Sequence, residues 1–149
     1  IDAIINGTFI TSQVICNKML ETGGGVVLNI SSDLGVIAPD QRIYRDETKS
    51  ENEQNVKPIT YSAAKWAVIG MTKYLSTYFA KNNIRVNCLS PTGVYNDHPV
   101  DFVTKLSNII PMGRMLNVYD PIPTVLHFLS DDSSMITGSV VRITGGEFI

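Results

Sequence analysis

Residues 60–89, TYSAAKWAVIGMTKYLSTYFAKNNIRVNCL, decide the fold class, because a helical pattern leads within a few residues into a buried strand. Apolar side chains recur at three- and four-residue spacing and predict a helix from Thr60 to about Lys81, with Thr60 in the cap region. Gly70 lies inside this helix at a cost of about 1 kcal/mol, which predicts that another backbone packs closely there. The run Ile84–Leu89 then predicts a buried strand that stops at a serine, a proline and a glycine.

Helices and strands alternate in both directions from this unit. A triple-glycine turn precedes an apolar, β-branched run, and the last third of the chain has helical patterns before a final strand. Alternating strands and helices imply parallel pairing through right-handed crossovers. We therefore expect an α/β fold with about three parallel strands and flanking helices. The further predicted elements are a helix over about 3–21, a strand at Val26–Ile30, helices over about 99–109 and 120–130, and a strand at Val140–Ile143.

The composition describes one ordinary globular domain: 149 residues carry a net charge of −2, with 44% hydrophobic and 17% charged residues. No basic stripe is present that would neutralise a row of phosphates, so a nucleic-acid partner is not expected. No apolar run approaches the roughly 18 residues of a membrane span, and no signal peptide is recognisable. Cys16 and Cys88 fall in apolar patterns that suit reduced core thiols. We expect a cytoplasmic protein with no membrane partner, and no metal because no ligand spacing is present.

The stretch from about 36 to 58 is polar and lacks a helical or alternating period, which predicts a long surface loop inserted in the domain. Loops of this length are often lids or binding loops. Arginine binds phosphate in a forked geometry, so Arg42 and Arg45 are predicted to bind a polar, phosphorylated or nucleotide-linked substrate. A solvated surface insertion is the alternative, and the residues favour neither.

Three groups of polar residues carry candidate chemistry. They are a tyrosine–lysine pair, a pair of serines, and a cluster that ends the second buried strand at the same sheet edge and also fits a plain Pro/Gly turn, namely Asn87, Ser90, Pro91, Thr92 and Gly93. Tyr61 and Lys65 are four residues apart and share one helical face; an ammonium beside a phenol favours the phenolate and helps it to exchange a proton. Ser31 and Ser32 directly follow a predicted strand, at the carboxyl edge where open α/β sheets bind ligands. A hydroxyl there can stabilise charge that develops on a substrate oxygen. Each group alone also fits a plain alternative, a chance spacing or a serine-rich turn.

Together these groups resemble the short-chain dehydrogenase/reductase family. The family's YxxxK pair is Tyr61 and Lys65 within YSAAKWAVIGMTK, and its NISSxxG pattern places the catalytic serine at Ser32. Its RVNxxSPGGV pattern corresponds to Arg85–Val94, and PMGR, FLSDDSSMITG and a final pair of glycines follow in the same order. The resemblance implies a Rossmann-like, doubly wound parallel sheet.

The resemblance also implies hydride transfer between NAD or NADP and a small-molecule alcohol or carbonyl. Tyr61 would donate or accept the proton, and Lys65 would favour its ionised form and hold the nicotinamide ribose. Ser32 would position the substrate oxygen. The residues along the cofactor's carboxamide would be Pro91, Gly93 and Val94.

The sequence departs from the family pattern most clearly in what it lacks. The family's first strand and TGxxxGxG turn are not in it, so we expect residues 1–149 to be the C-terminal part of a single Rossmann-like domain whose N-terminal dinucleotide half is absent. A non-catalytic binding or assembly module that keeps the fold is the alternative. Ile4 also stands where the family has a helper asparagine.

The resemblance extends to assembly and substrate. In the family, helices that correspond to residues 3–21 and 61–81 pair as a four-helix bundle, which implies a homodimer or homotetramer. The strings APDQRIYR and VKPITYSAAK are similar to oxidoreductases associated with flagellin modification and nonulosonic acid pathways in bacteria. This narrower resemblance implies a sugar or sugar-phosphate substrate.

Overall fold

The computed structural model describes residues 1–147 and confirms the α/β architecture. Its sheet has the strand order β1-β2-β3, and both neighbouring pairs are parallel. Within residues 1–147, no helix has the length and apolar character that crossing a membrane requires. The strands are β1 (Gly25–Ile30), β2 (Ile84–Pro91) and β3 (Val140–Ile143), and the helices are α1 (Asp2–Thr22), α2 (Ile59–Tyr78), α3 (Val100–Ile109) and α4 (Ile122–Leu129).

Strand β2 lies between the other two and sends its side chains into two layers. Ile84 and Val86 face α1 and α2, where they pack with Cys16 and other apolar side chains of both helices. Arg85 and Asn87 point to the other layer and donate hydrogen bonds to backbone carbonyls of the segment after α4. Because alternate residues of a strand face opposite sides, β2 is covered on both faces.

The two cysteines are free and buried. Burial raises the pKa of the Cys16 thiol in α1 and of the Cys88 thiol in β2. A buried thiol with a raised pKa is a poor nucleophile. Both residues therefore serve as small apolar side chains of the core.

Helix α2 begins one residue earlier than predicted, and Thr60 does not cap it. Pro58 is the N-cap residue, and no side chain caps the first turn. The helix ends at Tyr78, and a separate 3-10 turn at Ala80–Asn82 follows before β2. The predicted helix to about Lys81 is therefore divided into an α-helix that ends at Tyr78 and a short 3-10 turn.

Gly70 has no close neighbour on the exposed side of α2. A Cβ added there would have no atom within 4 Å, so the predicted close approach of another backbone does not occur within the described chain. The helix packs on the sheet through its opposite side, which includes Ala64, Val68 and Leu75. Trp66, on the exposed side, keeps 53% of its surface exposed.

The insertion at residues 36–58 is more ordered than the irregular sequence predicted. It contains two 3-10 turns, Gln41–Tyr44 and Glu51–Glu53. Ile43 is buried against Leu106 of α3 and neighbouring apolar side chains. Such turns are too short to show a repeating apolar period, so the sequence does not reveal them. The insertion therefore packs on α3 and encloses the space beyond the sheet edge.

Candidate active site

The carboxyl ends of β1 and β2 open into a cavity of about 310 Å³. Parallel strands bring their carboxyl ends to one edge of the sheet, so the polar residues that follow β1 and β2 meet at this cavity. The insertion and α3 contribute apolar side chains to the same cavity. The polar residues that line it are Ser31, Ser32, Asp33, Asp40, Tyr44, Lys57, Tyr61, Thr92, His98 and Glu147.

The turn after β1 packs directly on α2 and brings Ser32 to the cavity. The Ser31 hydroxyl donates to the Lys65 carbonyl at 2.8 Å. A Cβ added to Gly35 would meet the carbonyl carbon of Lys65 at 2.9 Å, so only glycine permits this approach of two backbones. The Ser32 hydroxyl donates to Asp33 Oδ1 at 2.5 Å and accepts the backbone N–H two residues further on at 3.3 Å.

Tyr61 and Lys65 project from the first turns of α2. The Lys65 Nζ lies 5.8 Å from the Tyr61 ring centroid and donates to the carbonyl of Ile30, the last residue of β1, at 3.1 Å. Partial burial lowers the pKa of the Lys65 ammonium. A second ammonium, that of Lys57, lies closer, at 4.0 Å from the Tyr61 ring centroid. The Tyr61 ring therefore has two cationic groups beside it.

The end of β2 supplies backbone groups to the site. The Tyr95 N–H donates to the Leu116 carbonyl, and the Leu116 N–H donates to the Gly93 carbonyl. The N–H and C=O groups of Val94, which lies between Gly93 and Tyr95, take no part in this bridge. Val94 lines the cavity together with Pro91 and Gly93. A backbone N–H in such a position can donate to an amide oxygen, so these residues fit a bound carboxamide.

Asp33 and Glu147 add carboxyl groups to the cavity. Glu147 is 4% exposed and accepts a hydrogen bond from the Thr92 hydroxyl at 2.8 Å. Burial raises the pKa of Glu147, the Thr92 bond opposes this shift, and the Asp33 carboxylate adds to it. Burial also raises the pKa of Tyr44 to about 12, with smaller contributions from Asp33 and other groups of the site. The cavity therefore favours the neutral forms of Tyr44 and Glu147.

Arg42 and Arg45, which the sequence predicts as substrate-binding residues, do not line this cavity. Arg45 lines a neighbouring cavity together with Lys57. The Arg42 guanidinium forms a two-pronged ion pair with Asp40, and its side chain is 87% exposed. Arg45 pairs with Glu51 of the same insertion. Carboxylates that are near in sequence thus hold both guanidinium groups outside the cavity. The cation that the insertion brings to the cavity is Lys57.

Several lining residues were not identified as site residues from the sequence. Lys57 precedes Tyr61 by four positions, the same spacing as between Tyr61 and Lys65. This spacing is the sequence pattern that could have placed Lys57 beside Tyr61. Asp33 directly follows Ser32. Glu147 is brought to the cavity only by tertiary structure, because its partner Thr92 is 55 positions away.

The site has no asparagine at the position of the family's helper residue. Ile4 packs instead against Val68 and Ile69 of α2 in the core. In the part of the chain that the structure describes, no three His, Cys, Asp or Glu residues come together as metal ligands.

Known proteins are similar in sequence to almost the whole of this chain. Residues 1–147 match the family model described as enoyl-(acyl carrier protein) reductase. An NAD-dependent glycerol dehydrogenase of Listeria innocua is 31% identical over 147 residues, which cover 95% of this chain and 52% of that protein. A 3-oxoacyl-[acyl-carrier-protein] reductase of Aquifex aeolicus is 30% identical over 148 residues, which cover 97% of this chain and 53% of that protein.

A solved structure has the same arrangement of strands and helices. The short chain dehydrogenase from Leptospira borgpetersenii with bound NAD+ matches with a TM-score of 0.87 and 36% identity, over 97% of this chain and 53% of that one. The chain spans about half the length of the curated relatives it matches. The parallel sheet, the ordered motifs and these matches agree, and the chain belongs to the short-chain dehydrogenase/reductase family.

Proposed function

We propose that the full-length protein is an NAD- or NADP-dependent oxidoreductase that transfers hydride between nicotinamide and a small-molecule alcohol or carbonyl. The observation that carries this proposal is the meeting of Ser32, Tyr61 and the strand end Pro91–Val94 around one cavity, with Lys65 beside Tyr61. A relative is named an NAD-dependent glycerol dehydrogenase, and the Leptospira structure holds NAD+. These relatives favour an enzyme over a non-catalytic module.

The residues of the site have distinct roles in this proposal. Bound nicotinamide supplies the hydride acceptor for alcohol oxidation and the hydride donor for carbonyl reduction. In oxidation, the ionised Tyr61 oxygen accepts the O–H proton of the carbinol, and the C–H hydrogen would pass with its electron pair to the nicotinamide. Lys65 stabilises the ionised form of Tyr61. Lys65 would also hold the ribose of the bound cofactor, and the Val94 backbone would hold its carboxamide. The Ser32 hydroxyl, which donates to the Asp33 carboxylate in this structure, donates instead to the substrate oxygen when substrate binds.

The test is a comparison of Tyr61→Phe with the unchanged full-length protein. Because the phenol hydroxyl transfers the proton, we expect kcat to fall by about 10²–10⁴-fold, while NADH or NADPH still binds, measured by fluorescence titration. Tyr119→Phe is the control, since Tyr119 is exposed and lies outside the cavity and outside α1 and α2. Unchanged turnover in Tyr61→Phe contradicts the assigned role. A protein that binds neither cofactor supports the non-catalytic module instead.

We further propose a sugar or sugar phosphate as the substrate, in bacterial surface or flagellin glycan synthesis. Hydroxyl and carboxyl groups of Ser32, Asp33 and Thr92 line the cavity and suit a substrate with several hydroxyl groups. The similarity of APDQRIYR to flagellin-modification oxidoreductases supports the same class. The test is turnover of a panel of sugars and sugar phosphates beside 3-hydroxyacyl thioesters. Preference for the thioesters would exclude this substrate class.

We also propose that residues 1–149 form the C-terminal part of one Rossmann-like domain in a longer chain. Strand β1 has β2 as its sheet neighbour on one side, and no strand of residues 1–147 covers its other edge. An open sheet edge invites pairing with a further strand. Intact mass of the protein purified from its source tests this proposal. We expect a mass about 10 kDa above that of residues 1–149, for roughly 100 further residues.

A homodimer or homotetramer in the cytoplasm completes the proposal. The outer sides of α1 and α2 leave large apolar side chains exposed, among them Val14 at 59% and Tyr74 at 66%. A second copy that covers these helices would remove this surface from water. Light scattering after size-exclusion chromatography gives the mass of the assembly. We expect Tyr74→Glu to dissociate it, and a protein that is monomeric before the change contradicts the proposal.

A further inference from the structure

Lys57 differs from the other cations of the insertion because no carboxylate neutralises it. Arg42 and Arg45 form ion pairs within the insertion, and Lys49 pairs with Asp46. Within residues 1–147, the Lys57 ammonium has no ion pair and donates no hydrogen bond. Its contacts are with two aromatic faces. An ammonium has three donors, and those of Lys57 are free to bind a ligand.

The position of Lys57 is fixed by the fold. The side-chain amide of Gln41 accepts from the Lys57 backbone N–H at 2.9 Å and donates to the Lys57 carbonyl at 3.3 Å. The Nζ then lies 4.0 Å from the Tyr61 ring centroid and 5.9 Å from the Tyr44 ring centroid. The residue is half-buried and lines the cavity. Two backbone hydrogen bonds and two ring contacts therefore place this ammonium over the Tyr61 ring, inside the cavity.

The acidic residues of the cavity are engaged elsewhere. Asp40 pairs with Arg42, Asp33 accepts hydrogen bonds from Ser32 and from a backbone N–H, and Glu147 accepts one from Thr92. Among residues 1–147, none of these carboxylates forms an ion pair with the Lys57 ammonium, which is therefore open to an anionic ligand. Helix α2 begins two residues later without a side-chain cap, and the positive end of its dipole adds to the attraction for an anion.

We propose that Lys57 binds an anionic group of the substrate, a carboxylate or a phosphate, while the carbinol or carbonyl of the same molecule reacts at Tyr61. The proposal rests on the proposed oxidoreductase function and deepens it by naming a charge that the substrate carries. It also moves the anion-binding role in the insertion from the two arginines to the lysine.

The test is binding of three-carbon probes to the full-length protein, measured by calorimetry at low ionic strength. Glycerol is the neutral probe, glycerate carries a carboxylate, and glycerol 3-phosphate carries a phosphate. We expect at least one anion to bind tenfold or more tightly than glycerol, and the tighter of the two identifies the group. Lys57→Gln should abolish this preference and Lys57→Arg should keep it. Lys49→Gln is the matched control, a lysine of the same insertion outside the cavity, and should leave the preference unchanged.

Two results would overturn the proposal. One is equal binding of glycerol and both anions by the unchanged protein, and the other is an anion preference that survives in Lys57→Gln. The midpoint of urea unfolding shows whether each variant is folded. Because Lys57→Arg keeps the positive charge, retained anion preference in this variant shows that Lys57→Gln loses the preference through its charge and not through a change in structure. Binding of the probes is read without turnover, so failure of the oxidoreductase proposal, seen in Tyr61→Phe and in cofactor titration, is a separate outcome.

Discussion

Replacing Gly35 by alanine tests the contact that joins the turn after β1 to helix α2. The added Cβ would lie 2.9 Å from the carbonyl carbon and from the carbonyl oxygen of Lys65, whereas ordinary contacts begin at 3.4 Å. The turn and the helix must therefore separate by about 0.5 Å, the difference between these two distances. Both groups are backbone, so no side-chain rotation relieves the clash. Overpacking of this kind costs about 1–3 kcal/mol.

The same separation disturbs the hydrogen bond from the Ser31 hydroxyl to the Lys65 carbonyl, which is 2.8 Å long. Loss of such a bond adds about 1 kcal/mol. We therefore expect Gly35→Ala to lower the free energy of unfolding by about 2–4 kcal/mol, measured by urea denaturation. Turnover should fall by about tenfold or more, because Ser32 moves relative to Tyr61.

Gly70→Ala is the control, with the opposite sign. Within the described chain, no atom lies within 4 Å of the added Cβ, so in the dissociated Tyr74→Glu background we expect a gain of about 0.5–1 kcal/mol from reduced backbone entropy of the unfolded chain. A Gly35→Ala variant with unchanged stability would refute the close approach of Gly35 to Lys65. In the assembled protein, a destabilised Gly70→Ala variant would show that another subunit packs on Gly70.

Buried polar groups and buried thiols give three further tests. Thr72→Val should lower the free energy of unfolding by about 1–3 kcal/mol, because the buried Asn29 side-chain amide loses the hydroxyl that accepts its hydrogen bond at 2.9 Å. The control is Thr77→Val at an exposed position of the same helix. Equal losses of stability in the two variants would contradict this role of Thr72. Burial raises the pKa of Glu147 above its ordinary value of 4.5, so the stability that it contributes is complete below that pH and declines as pH rises through the raised value. A glutamine does not titrate, so the stability of Glu147→Gln relative to the unchanged protein should increase as the pH rises from below 4.5 to neutral. Urea unfolding at several pH values measures this difference. A difference that does not change with pH would contradict the raised pKa. The two buried thiols should react with a disulfide reagent only when the protein unfolds, followed by absorbance, and rapid reaction of the native protein would be evidence against their burial.

The strands could be predicted closely because buried parallel strands have a simple composition. Val26–Ile30 and Ile84–Leu89 lie within β1 and β2, and Val140–Ile143 has the bounds of β3. The start of α2 differs from the prediction by one residue, because a hydroxyl residue such as Thr60 is the usual sequence signal for a helix start, whereas Pro58 precedes the first turn here without a capping side chain. Sequence patterns predict well those elements whose buried side chains recur at regular spacing, and they predict poorly the turns and helix ends that have no such repeat.

The site was less predictable where long-range pairing decides which group reaches the cavity. Arg42 and Lys57 are both cations of the insertion, and the sequence does not show that Asp40 holds the arginine outside. Glu147 enters the site through Thr92, 55 positions away. Motifs identified Ser32, Tyr61 and Lys65 because the family keeps them at fixed distances along the chain, whereas ion pairs depend on the folded arrangement.

The two hydrogen bonds between Gln41 and the Lys57 backbone join positions that are 16 residues apart. They close the intervening segment into a loop whose ends are fixed, and doubling the length of such a loop costs only about 0.6 kcal/mol in closure entropy. Insertions into the outer part of this loop, at residues 46–53, should therefore leave Lys57 in place beside the Tyr61 ring. The outer part of the insertion is free to acquire contacts with new partners or larger substrates while the chemistry beneath it stays the same.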